Sequence, residues 1–125
     1  MIMHTVIETP AFLASAREEG LDEQMRADIV AFLALNPTAG EMMVGTGGAR
    51  KVRFAGRGKG KSGGYRVITF YGGEDMPIFL LDVFGKGSKA NLTAAEKSEL
   101  KKLLTSLPEL FRAQTRRQVA KIRRR

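Results

Sequence analysis

Hydrophobic and polar positions along the chain change period twice. Ile2–Ile7 alternates loosely between apolar and polar residues and predicts a first strand. Thr9-Pro10 sets an N-cap residue before a proline at the first helical position. A short helix with Phe12, Leu13 and Ala16 on one face is expected to follow and to end at Gly20. Asp22 can cap a second helix, which carries Met25, Ile29, Phe32 and Leu33 at helical spacing and stops at Asn36-Pro37. The pair reads as a helical hairpin with one apolar side. After a loop over residues 37–48 the period drops to two. Lys51-Val52-Arg53-Phe54, Tyr65 to Tyr71 and Ile78 to Phe84 read as three strands of an antiparallel meander, with Gly72-Gly73-Glu74-Asp75 as the turn between the last two. Thr93-Ala94-Ala95-Glu96 is a capping box, and the helix it opens aligns Leu100, Leu103, Leu104 and Leu107. Pro108 predicts a break or kink there. Arg116 to Arg125 holds only Val119 and Ile122 as large apolar residues, so a tail that frays without a partner is expected. The order β-α-α-β-β-β-α predicts a single small α+β domain: an antiparallel sheet, an N-terminal helical hairpin and a C-terminal helix, with the helices on one face.

Length and composition fit that picture. The 125 residues suit one domain, read as 1–110, followed by a basic C-terminal extension over 111–125, and 43% apolar content predicts a folded core. Lys and Arg number 21 against 13 Asp and Glu, a net charge of +8. Residues 1–40 are acidic overall, whereas 41–92 and 93–125 are strongly basic. This asymmetry predicts one basic face and a polyanionic or acidic partner. The absence of Cys excludes a disulfide framework, a thiol nucleophile and a Cys-ligated zinc. A single His, His4, excludes a His-rich metal site and a two-His acid–base pair, and reads as structural or incidental. Neither a metal nor a cofactor is expected. No apolar run approaches about 18 residues, and MIMHTVIETP lacks a charged segment followed by an apolar one. A cytoplasmic protein with no membrane role is therefore the expectation.

The most unusual segment is Gly56-Arg57-Gly58-Lys59-Gly60-Lys61-Ser62-Gly63-Gly64. With Ala55 it approximates a relaxed P-loop. A strand follows it, however, and a P-loop requires a helix whose N-terminus helps hold the phosphate. Two readings remain for the loop. It is a flexible hairpin connection kept soluble by its lysines, or a backbone that lets Arg57, Lys59 and Lys61 approach a phosphate chain closely because glycine has no Cβ. Lys51 and Arg53, two apart on one strand, share a side, while Val52 and Phe54 face the core. Arg66 has the parity of Ile68 and Phe70 and so turns inward, at a ragged strand end, in a cleft, or as a paired structural arginine.

Three stretches together resemble the RelE/HigB toxins of bacterial type II toxin–antitoxin systems. They are Gly45-Thr46-Gly47-Gly48-Ala49-Arg50-Lys51-Val52-Arg53, then Gly58-Lys59-Gly60-Lys61-Ser62-Gly63-Gly64-Tyr65-Arg66-Val67-Ile68, and Leu80-Leu81-Asp82-Val83-Phe84-Gly85-Lys86-Gly87. The resemblance covers roughly residues 2–107. It implies a RelE-like fold and a ribosome-dependent mRNA endonuclease acting in the decoding site without a metal. The implied partners are the ribosome, mRNA and a HigA-like helix-turn-helix antitoxin. RNA cleavage of this kind needs the 2′-OH deprotonated, charge on the phosphate stabilised and the leaving 5′-oxygen protonated. A lysine crowded by cations has its neutral form favoured and can act as a base. By resemblance the catalytic positions are Lys51, Arg53, Arg66 and Lys86, with Arg66 stabilising the phosphate. RNA-binding positions are Arg50, Arg57, Lys59, Lys61, Tyr65 and Lys89, where Tyr65 either stacks on a base or packs. The chain departs from the family pattern in having Gly87 after Lys86 and no tyrosine beyond it, so the proton donor stays open. Two alternatives are a ParE-like toxin that poisons gyrase, which does not need the Lys51, Arg53 and Arg66 cluster, and a non-enzymatic RNA-binding module.

Overall fold

The computed structural model of the chain describes residues 3–56, 64–85, 87–89 and 91–124. Its elements run β1 (Val6–Glu8), α1 (Pro10–Glu18), α2 (Glu23–Leu35), β2 (Glu41–Met42), β3 (Arg50–Phe54), β4 (Tyr65–Phe70), β5 (Ile78–Gly85) and α3 (Ala94–Arg123). The α+β class, the N-terminal helical hairpin, the meander β3-β4-β5 and the C-terminal helix are as the sequence predicts. Local chemistry accounts for the helix starts. The Thr9 hydroxyl accepts from the Phe12 N–H at 3.2 Å, Asp22 Oδ1 accepts from the Met25 N–H at 2.9 Å, and Thr93 and Glu96 close a reciprocal capping box.

The structure differs from expectation in the pairing and length of the outer strands, in the placing of the helices and in the course of the C-terminal helix. The five-stranded sheet, ordered β1-β5-β4-β3-β2, is mixed, because β1 pairs with β5 in parallel. Val6 lies opposite Ile78, a partner too distant in the chain for periodicity to suggest. β1 is also shorter than the expected Ile2–Ile7. β2 is only two residues long and leaves no period to read.

The helices do not share one face. Phe12, Ala16, Ile29 and Leu33 of α1 and α2 pack on Val52, Val67, Ile78, Leu80 and Val83. Leu104 of α3, flanked by Leu100, Leu107 and Phe111, packs with Ile68, Phe70, Phe79, Leu81 and Phe84 on the other side. A sheet apolar on both faces needs a layer over each.

Finally, α3 runs unbroken through Pro108 as a 30-residue helix, and the expected fraying tail is its last turns. Proline forfeits one backbone hydrogen bond there. Leu104 and Leu107 before it and Phe111 after it are held against the sheet, with the Phe111 ring 6.1 Å from Phe79.

β1 covers β5 only as far as Leu80. Further along that border the Val83 N–H donates to Asp82 Oδ1 at 2.9 Å and the Gly85 N–H to Glu19 Oε1 at 2.8 Å.

Candidate nucleic-acid interface

Strand alternation sorts the basic residues of the meander. On β3, Val52 is buried and Phe54 packs against the α1–α2 core, so Lys51 and Arg53 are turned to the α3 face. Register then sets their neighbours. Arg53 lies opposite Arg66, and Arg66 opposite Phe84; Lys51 lies opposite Ile68, and Ile68 opposite Asp82. Directly paired residues have Cβ atoms about 5 Å apart, so two arginines meet across the β3–β4 pair. Arg53 is exposed. Arg66 is only 7% exposed, and its Nη1 is buried with no hydrogen-bond partner among the described residues. Like charges directly opposite on a sheet are destabilising, and a buried guanidinium donor without an acceptor adds to that cost. No ion pair among the described residues involves Lys51, Arg53 or Arg66. An anion brought to this row would supply the missing acceptor.

The turn after β5 completes the described part of the row. Lys89 holds its Nζ 5.0 Å from the centroid of the Phe84 ring and 2.7 Å from Glu96 Oε2 at the start of α3. The Lys89 hydrogen bond, followed by the Thr93 backbone N–H, holds the Glu96 carboxyl below the ordinary carboxylate range. The turn is tied down from α1. Glu19, the C-cap of α1, accepts the Gly85 N–H through Oε1, and its Oε2 accepts the Ser88 hydroxyl at 2.7 Å. The N–H groups of Ser88 and Lys89 both donate to the Gly85 carbonyl. At the opposite border of the row, β3 and β4 converge so closely that a Cβ on Gly64 would collide with the Phe54 carbonyl oxygen. Only glycine permits that approach.

Two expected RNA-binding residues are not brought to this row. Arg50 has the parity of Val52, and its Nη1 donates to the carbonyls of Thr38 at 3.1 Å and Gly40 at 3.5 Å. It fastens the loop before β2. Tyr65 has the parity of Val67. It packs against the α1–α2 core, and its hydroxyl donates to the Glu19 carbonyl at 3.4 Å. Packing, the second of its two readings, describes it. Arg57, Lys59, Lys61 and Lys86 lie outside the described residues. His4 stacks edge-on against Tyr71, 5.4 Å between ring centroids.

Sequence reasoning missed Phe84, Glu19 and Glu96. Phe84 has the parity of Ile78 and Leu80, which face the α1–α2 core, and the register shift at Ile68/Thr69 turns it instead to the α3 face, so alternation alone could not find it. Glu19 and Glu96 act on residues that only the folded chain brings near.

Among the described residues no group of His, Cys, Asp and Glu side chains is arranged to hold a metal. No described helix is long and apolar enough to cross a membrane. Among the described residues the arrangement is thus a cationic row with a buried arginine whose Nη1 has no partner, set on a mixed sheet between a helical hairpin and a long C-terminal helix. The family model of the RelE toxin of the RelE/RelB toxin–antitoxin system matches residues 6–123, almost the whole chain. The chain therefore belongs to the RelE toxin family, whose members are the toxins of toxin–antitoxin pairs.

Proposed function

We propose that this toxin is a ribosome-dependent mRNA endonuclease, silenced by a cognate antitoxin of the HigA-like helix-turn-helix class. One observation carries the reading: Arg66, buried and with its Nη1 unpartnered among the described residues, in register with Arg53 and Phe84 on one face of the sheet.

In the proposed reaction the 2′-oxygen of a nucleotide attacks the adjacent phosphorus. The bond to the 5′-oxygen of the next nucleotide breaks, leaving a 2′,3′-cyclic phosphate and a free 5′-hydroxyl. One proton leaves the 2′-OH and one arrives at the 5′-oxygen, so the balance needs only a base and an acid. Arg66 stabilises the charge that builds on the phosphate oxygens, with no reorganisation at the moment of reaction. Arg53 and Lys51 hold the flanking phosphates. Lys89 stands at the β5 border of the row, and Lys86, Arg57, Lys59 and Lys61 are assigned their roles by the family resemblance alone.

The test is an in vitro translation reaction with a defined mRNA, run with and without ribosomes, with 5′ ends mapped by primer extension. Cuts that require ribosomes and fall at least about a hundredfold for Arg66→Ala are the expected result. Intact mRNA with unimpaired translation overturns the reading and directs attention to gyrase inhibition. RNA binding without cleavage, equal in wild type and Arg66→Ala, identifies a binding module instead.

A further inference from the structure

Past Ala113 every residue of α3 is exposed, and so is its C-cap, Arg124. This half of the helix projects from the domain with no layer to cover it. Residues 112–125 carry seven Arg and Lys and no Asp or Glu. Their order on the helix is regular. At 3.6 residues per turn Arg116 and Arg123 share one row, and Arg117, Lys121 and Arg124 share a second, roughly 110° around the axis. Ala113 and Ala120 form the strip between the rows, where nothing longer than a methyl group stands. The large apolar residues, Val119 and Ile122, lie away from that strip, beside Gln114 and Gln118.

We infer that this projecting half of α3 is a second nucleic-acid site, which takes the phosphate backbone of double-stranded RNA. Two cation rows beside a shallow floor match two lines of phosphates flanking a groove. Six of the seven cations are arginine, whose planar fork engages phosphate oxygens in pairs. Arg112 is held by Asp75, Nε to Oδ2 at 2.6 Å, and fixes the arm where it leaves the sheet. Arg116 meets Glu109 at 3.2 Å, but both side chains are largely exposed, and such a pair yields readily to a phosphate. A membrane surface is the weaker match, because an interfacial helix needs a broad apolar face and this segment offers only Val119 and Ile122. The arm's centre is roughly 35 Å along the helix axis from Glu96, so a duplex bound there is separate from any strand on the Arg66 row. The choice of RNA over DNA rests on the function proposed above; the phosphate geometry does not.

The test measures binding of the full chain to a 20-base-pair RNA duplex by fluorescence anisotropy over a range of salt concentrations. A DNA duplex of the same sequence and vesicles of anionic phospholipid are run in parallel. The variant R116A/R117A/K121A/R123A keeps the helix, since alanine is the best helix former, and circular dichroism verifies this. Duplex affinity is expected to fall about tenfold or more, and the salt slope by about three, in the variant. Arg66→Ala should bind the duplex within about twofold of the wild type, so loss of cleavage and loss of duplex binding are separately visible. Equal affinity of the arm variant and the wild type overturns the inference. So does tighter binding to DNA than to RNA, or vesicle binding without duplex binding.

Discussion

Arg66 works against the fold that holds it. A guanidinium with an unpartnered buried nitrogen, set opposite a second arginine, lowers stability, and replacing such a charge with an apolar side chain of similar reach is commonly neutral or favourable. Arg66→Met is therefore expected to raise the unfolding free energy by about 1–2 kcal/mol in urea titration while eliminating cleavage. A loss of stability instead would mark Arg66 as a structural residue with a partner. This position was legible from parity alone, which turned Arg66 inward; sequence could not decide between a paired arginine and an open one. Tyr65 and Arg50 show the converse. Each neighbours a site residue in sequence, and each faces away from the row because adjacent residues of a strand point to opposite sides.

Among the elements, α3 departs most from expectation. Its capping box was readable, since Thr93 and Glu96 are close in sequence. Its passage through Pro108 was not, because the compensating contacts come from the sheet. The start of α3 also makes stability depend on pH. Glu96 is held below its ordinary value of 4.5, first by Lys89 and then by the Thr93 N–H. A depressed carboxyl contributes stability that is complete above that value and is lost as pH falls through the lower folded-state value. The thermal midpoint should thus drop on acidification below about pH 4.5, and less steeply in Lys89→Met. Asp75, lowered chiefly by Arg112, adds to the acid sensitivity of both proteins and cancels in the comparison. The parallel β1–β5 pair and the two-residue β2 were illegible for a simpler reason: one is a long-range pairing, the other too short to carry a period.

At the scale of the whole molecule, the sheet divides two apolar cores. One lies under α1 and α2 and the other under the first half of α3. The run Ile78-Phe79-Leu80-Leu81 already held this information, since a strand apolar at every position is covered on both sides. Because the outer half of α3 belongs to neither core, a chain ending at Ala113 should keep its thermal midpoint within about 3 °C of the full-length protein. A larger drop would show that the arm packs on the domain. The side chains at the border of β5 bear on how copies of the toxin behave when crowded. With the Val83 and Gly85 N–H groups already engaged by Asp82 and Glu19, that stretch offers little template for another molecule's backbone. Self-templated growth of aggregates is thereby discouraged during any interval when the toxin circulates alone. Glu19→Ala, which frees the Gly85 N–H, should scatter more light on heating than the wild type at equal concentration.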